Sequence, residues 1–283
     1  HVIEKQPAVL TETKKLYHED NFANLAEVTL TWPGVPLYDN DAFALEVLTE
    51  YLAVGKKAPL YKKLSEEKQL TSTIDFSNYN SEIAGQLMLS VRAFENVDLD
   101  SVQIAIQEAF ADFEKNGISD TDLNRIKSGH EVNFYNSLSS VLGKGFQLAQ
   151  YNIFTGDPGF VNEYVGKMKA VSEADVTRVY NQYIKGKNYV ATSFVPKGQV
   201  NLALENSTKA DVVEEKIVQG AEEQFDASQA ASYTKTPSSF DRSVEPPYGS
   251  SPQITTPVIW QDSLGNGMKT FGIQNNEVPM VQF

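Results

Sequence analysis

The sequence predicts an α+β fold, a mainly antiparallel sheet with helices packed on one face. Three observations predict it. Residues 25–32 alternate strictly, with Ala26, Val28, Leu30 and Trp32 against Glu27, Thr29 and Thr31, as a strand with one dry face does. Two further alternating runs, 70–76 and 83–93, lie close enough in sequence to pair as antiparallel neighbours. Amphipathic helical periods then fill most of 99–185, before a last apolar run, NYVATSFV, at 188–195.

Taken in order, residues 1–23 show no clear period. After the first strand, PGVPLYDND is a turn region, and Asp39 or Asn40 can cap the next helix. Phe43, Val47, Leu48, Tyr51 and Leu52 form that helix's apolar stripe, which ends at Gly55. LYKKLSEEKQLTSTIDF, 60–76, reads as two elements joined without a loop. Leu60, Leu64 and Lys68 share one helical face, with Lys62, Lys63, Glu66 and Glu67 mostly facing water. Leu70 to Phe76 then alternates as a half-buried strand. The second strand follows, with Ile83, Leu87, Leu89, Val91 and Ala93 on one side and Gln86, Ser90 and Arg92 on the other.

A long helix is expected over 99–115, burying Val102, Ala105, Ile106, Ala109, Phe110 and Phe113 and stopping at Asn116-Gly117. Ser119 opens another, with Asp120 and Asp122 where the helix dipole favours acid. Further helical stretches are 141–154, 159–169 and 172–185. Ser172 to Asp175 has the form of a capping box, with Asp for the usual Glu.

The character changes after Gly198. Residues 203–225 have room for one short polar helix, and 226–252, rich in Ser, Pro and Ala, reads as linker. Val258, Trp260, the Gly265-Asn266-Gly267 turn and Met268 to Ile273 then suggest a hairpin. The expected organisation is a domain over 1–200, a linker over 201–252, and the first strands of a following domain over 253–283. His1 in place of Met, and no visible signal peptide, are what an internal fragment of a longer protein would show.

Composition narrows the function. A net charge of −13 disfavours nucleic acid, which needs clustered Lys and Arg, and disfavours anionic membranes. The absence of Cys excludes disulfides, thiolate zinc sites and cysteine nucleophiles. No apolar run approaches the ~18 residues of a membrane span.

A search for chemistry finds little. The histidines are His1, His18 and His130. His130-Glu131 invites comparison with zinc peptidases, whose helical ligands stand one turn apart so that both face one metal. H-E-x-x-H would need His at 134, which is Phe134; H-x-x-E-H would need Glu at 133, which is Asn133. His130 is therefore read as an ordinary helix residue and His18 as surface. Gly143, Gly145 and Gly156 lack phosphate-loop spacing. Glu66-Glu67 and Glu222-Glu223 are read as wet charge, and Phe110, Phe113, Phe134 and Phe146 as core.

The order of elements carries a resemblance. APLYKKLSEEKQLTSTIDF resembles the S-x-L-[FY]-x-x-L-R-E-x-x-G-L-A-Y-S passage of the insulinase/pitrilysin family of zinc peptidases, the inverzincins. PLYDNDAFALEVLTEYLAVG, NGISDTDLNRIKSGHEVNF, LAQYNIFTGDPGFVNEYVGKMKAVSEADVTRVYNQYI and KNYVATSFVPKG are similar to the family's flanking passages in the same order. The resemblance spans about 14–198. TPVIWQDSLGNGMKTFGIQNNEVPMVQF, in turn, resembles the opening strands of the domain type that carries H-x-x-E-H.

The resemblance implies tandem domains: one with the zinc motif, one without, a linker, then the pair repeated. This chain would be the motif-free domain, the linker and the start of the next repeat. It would hold no zinc and no catalytic residue, and zinc would belong to the full-length protein. In the family, the Arg and Tyr of the quoted passage help bind the substrate backbone and support the transition state. Here Ser65 stands at the Arg position, Gln69 at the Gly and Ser72 at the Tyr. Serine offers neither a cation nor a long phenol donor, so these are degenerate substrate-contact positions.

Two functions follow. The first is a structural, substrate-chamber domain of a zinc endopeptidase, partnered by neighbouring domains of its own polypeptide and by peptide substrate. The second is a scaffold or assembly domain of a catalytically dead paralogue. Bacterial family members often work outside the cytoplasm, and a periplasmic or other extracytoplasmic setting rests on that analogy alone.

Overall fold

The computed structural model describes residues 8–212, 239, 241, 243–245, 247–251, 253, 255–276, 278–279 and 281. The described chain divides into two units, one running to Asp211 and one from Val212 to Asn276.

The larger unit is α+β. Its strands are β1 (Lys14–Asp20), β2 (Glu27–Gly34), β3 (Thr71–Asn80), β4 (Gly85–Ala93), β5 (Val190–Pro196) and the short β6 (Thr208–Lys209). They form one sheet in the order β3-β4-β2-β5-β1-β6. The run β3-β4-β2-β5 is antiparallel throughout, whereas β1 lies parallel to both β5 and β6. The alternation read at 26–32 is the cause of β2's central place. Val28, Leu30 and Trp32 are buried, while Glu27, Thr29 and Thr31 are only half-buried. Leu87, Leu89 and Val91 of β4 continue the same dry face.

The helices are α1 (Asn40–Ala53), α2 (Pro59–Tyr61), α3 (Leu99–Asn116), α4 (Asp120–Ser137), α5 (Val141–Thr155), α6 (Val161–Ala170) and α7 (Glu173–Tyr183). All but α2 and α6 begin at a side-chain cap. Asp39 accepts from Asp41 N–H at α1, Ser119 from Asp122 N–H at α4, and Ser172 with Asp175 completes the capping box of α7. Gly117, at φ 66° and ψ −162°, takes a conformation open to glycine and closes α3. Leu45, Leu48 and Leu52 of α1 and Leu99 and Ile106 of α3 are fully buried against the sheet's dry face. Each such side chain contributes about 1.5–3 kcal/mol.

β1 and β6 lie in stretches where the sequence offered no period. Lys14 to Asp20 is half-buried rather than two-faced, and is held by backbone pairing on both sides. The unit therefore closes on chain beyond residue 200: Ala210 N–H donates to Tyr17 O, and Leu204 N–H to the buried Ser193 Oγ. The polar helix considered for 203–225 and the linker 226–252 fall mostly outside the described residues.

In the smaller unit, β7 (Ile259–Ser263) and β8 (Lys269–Ile273) form the expected antiparallel hairpin. Gly267, at φ 86°, makes its turn possible. Among the described residues, no helix is long and apolar enough to cross a membrane.

Candidate functional site

The passage 59–76 is where backbone geometry departs most from the regular. α2 does not continue as an α-helix: Lys62–Glu67 forms a π-helical turn, with Lys68 N–H donating to Lys63 O at 3.1 Å. Leu60 and Leu64 are fully buried and anchor the passage on α3. Polar contacts ring this anchor. Lys63 pairs with Glu67 at 2.6 Å and with Asp112 of α3 at 3.2 Å, and Lys68 pairs with Glu108 at 2.8 Å. Lys63 thus faces α3 rather than open water. Hydrogen bonds to Glu67 and then Asp112 raise its pKa.

Each of the three degenerate positions sits on one irregularity. Ser65 lies inside the π-helical turn, half-buried, and its Oγ is buried without a hydrogen-bond partner. Gln69 follows at φ 53°, in the left-handed region, so that Leu70 N–H can return to Leu64 O at 2.8 Å. Ser72 is the extra residue of a β-bulge: the β3–β4 register shifts between Thr71 and Thr73. Thr71 holds the bulge, its buried hydroxyl donating to Arg92 O and accepting from Thr73 N–H. Gln69 and Ser72 face solvent. β3 is the outermost strand of the sheet.

The remaining candidates separate. His130 Nε2 lies 2.9 Å from Glu50 Oε2 of α1, which raises the imidazole pKa. Glu46, on the same helix, is raised by burial. His18 lies on β1 and stacks on Phe194 at 5.2 Å, so it is partly covered rather than free surface. Among the described residues, no three His, Cys, Asp or Glu side chains are placed to hold a metal ion. Glu67 is tied to Lys63, while Glu222-Glu223 lie outside the described residues.

Of the phenylalanine set, Phe113 and Phe134 are buried and Phe110 is half-buried. Phe146 is not core: it is 69% exposed on α5, beside exposed Val141, Leu142 and Ile153. Only Tyr151 of that helix is buried. The apolar stripe was legible; that it faces outward was not, because periodicity does not say which side of a helix meets the core.

The comparisons bear on this geometry. Residues 2–129 match the family model for the Peptidase M16 inactive domain. That segment, under half of the chain, is similar to a peptidase M16 inactive domain. This is the family, and the domain type, to which the ordered passages pointed. No curated protein matches the chain significantly. Among solved structures, a protease from Helicobacter pylori is similar at TM-score 0.58 and 21% identity, over 64% of this chain and 44% of that one. A peptidase M16 inactive domain from Pseudomonas fluorescens is similar at 0.56 and 16%, over 68% and 45%. The periplasmic protease PqqL from Escherichia coli is similar at 0.56 and 16%, over 66% and 21%. These likenesses show a shared fold. The chain spans less than half the length of each of these three.

Proposed function

We propose that this chain supplies the non-catalytic, substrate-chamber domain of a zinc-dependent endopeptidase. The observation that carries the reading is the coincidence at 62–73. A π-helical turn, a left-handed residue and a β-bulge stand where the family's Arg, Gly and Tyr would be, yet the side chains are Ser65, Gln69 and Ser72. Such irregularities cost free energy and concentrate at functional sites. Here the backbone of a substrate-gripping passage persists without the groups that grip. The passage then serves as scaffold, tying α3 to the edge strand β3.

Zinc does not fit the described residues. The helical position one turn after His130 is Phe134, and His130 itself is engaged with Glu50. The metal, and the group that acts as base, would belong to a neighbouring domain of the full-length protein. The exposed apolar face of α5 supports such a neighbour, since Val141, Leu142, Phe146 and Ile153 together form a patch that water covers poorly.

Hydrogen exchange tests the packing. In the full-length protein, the α5 amides should exchange more slowly than in the 283-residue chain alone. Equal exchange in both would overturn the reading. A scaffold domain of a dead paralogue would give the same protection, and is separated from the first reading by the activity measurement that closes the Discussion.

A further inference from the structure

A cavity of about 260 Å³ lies between β2, α3 and α7, away from the 62–73 passage. It is too large to be a packing fault: an apolar cavity of about 150 Å³ already accepts benzene. It is smaller than the ~300–1,000 Å³ of drug-sized sites, so its occupant is one ring with a short arm. Its walls are aromatic, formed by Trp32, Phe110, Tyr180 and Tyr189. Trp32 and Phe110 stand 6.4 Å apart by ring centroids, and Trp32 and Tyr189 5.3 Å. Trp32 is 3% exposed, and its Nε1–H has no hydrogen-bond partner. A buried donor left unpaired in this way is uncommon.

The polar lining decides the chemistry of the arm. Glu114 is already satisfied: it accepts from Tyr180 Oη at 2.8 Å and pairs with Lys185 at 2.6 Å. Lys187, on the loop between α7 and β5, also lines the cavity and is exposed. Among the described residues it has no ion-pair partner. Glu114, Lys185 and Lys187 leave one net positive charge at the mouth, in a chain whose net charge is −13. That cation is local, exposed and uncommitted, and an anionic group would complete it.

We propose that this cavity binds an aromatic ring carrying a carboxylate, the ring against the wall formed by Trp32, Phe110 and Tyr189 and the carboxylate at Lys187. The ligand's source is either a free aromatic acid or the C-terminal aromatic residue of a peptide. Both present the same chemistry.

The test uses the 283-residue chain with Trp260→Phe, which leaves Trp32 as its single tryptophan. Tryptophan emission is followed while 3-phenylpropionate, 3-phenylpropionamide or the tripeptide Gly-Gly-Phe is added. The proposal expects a saturable change with the acid and the tripeptide, and binding of the amide weaker by about tenfold. Lys187→Gln should weaken the acid by a similar factor and leave the amide unchanged. Gln107→Phe, at an exposed lining position, should block all three. Circular dichroism confirms that both variants fold. Tighter binding of the tripeptide assigns the site to peptide C-termini; tighter binding of phenylpropionate assigns it to free acids. No saturable change, equal binding of acid and amide, or equal loss of both in Lys187→Gln would each overturn the proposal.

Discussion

Replacing Gln69 by Gly should stabilise the larger unit. Gln69 holds φ 53° at the point where the π-helical turn passes into β3. For a residue with a Cβ, the left-handed conformation costs roughly 1–2 kcal/mol. Glycine removes that strain, but loses about 0.5–1 kcal/mol more backbone entropy on folding. The exposed Gln69 side chain makes no hydrogen bond that would be lost. At the middle of both ranges the net gain is about 0.75 kcal/mol, or a rise in Tm of about 1.5–3 °C for a unit of this size. Circular dichroism during thermal and urea unfolding measures it. Gln69→Ala is the control, because it shortens the side chain but keeps the Cβ, and should change little. A Gly variant no more stable than the parent, or an Ala variant matching it, would refute the argument that backbone strain is held at this position.

Two further predictions concern charge. Asp41 ties α1 to α7 through Arg178 Nη2 at 2.7 Å and Tyr183 Oη at 2.7 Å, and the Arg178 hydrogen bond is the first cause of its lowered pKa. Asp41→Asn should cost about 1 kcal/mol, held down because Arg178 is 46% exposed to solvent. In the parent, this stabilisation is complete above the ordinary carboxylate range and is lost as pH falls through the folded-state value; the variant should lack that acid limb in urea titrations. His130 and Glu46 act in the opposite direction. Both bind protons more tightly in the fold than outside it, His130 through Glu50 and Glu46 through burial. The His130 contribution is therefore complete below its ordinary value of 6.5 and declines as pH rises through the folded-state value. Urea midpoints of His130→Gln should fall less than the parent's between about pH 6 and about pH 9; parallel curves would show that the pair does not couple to folding.

How much was legible in the sequence depended on whether a residue's environment was set locally. β2, β4 and α3 face the core on one side only, so their periods of two and 3.6 survive in the residues. β1 left no trace because neither of its faces is dry: Lys15 to Asp20 are half-buried alike, so the fold asks for no alternation there. Phe146 was misplaced for the reason already given: an apolar stripe signals that it will be covered, not by what. At 60–76 the sequence showed a helix meeting a strand, and the resemblance located Ser65, Gln69 and Ser72. The π-helical turn and the bulge remained hidden, since each arises from how Leu64 seats against α3 and how β3 registers on β4. The left-handed residue did leave a signal, in that glycine occupies the corresponding place in the resembling passage.

The central proposal is that this chain contributes shape, while metal and catalysis come from elsewhere in the full-length protein. The most direct measurement is zinc content together with cleavage of a quenched peptide, on the 283-residue chain and on the full-length protein in parallel. The account predicts neither metal nor cleavage in the chain alone, and chelator-sensitive cleavage in the full-length protein. Stoichiometric zinc or peptide cleavage in the isolated chain would contradict it, and a full-length protein that binds no zinc and cuts nothing would replace the chamber with the scaffold of a dead paralogue.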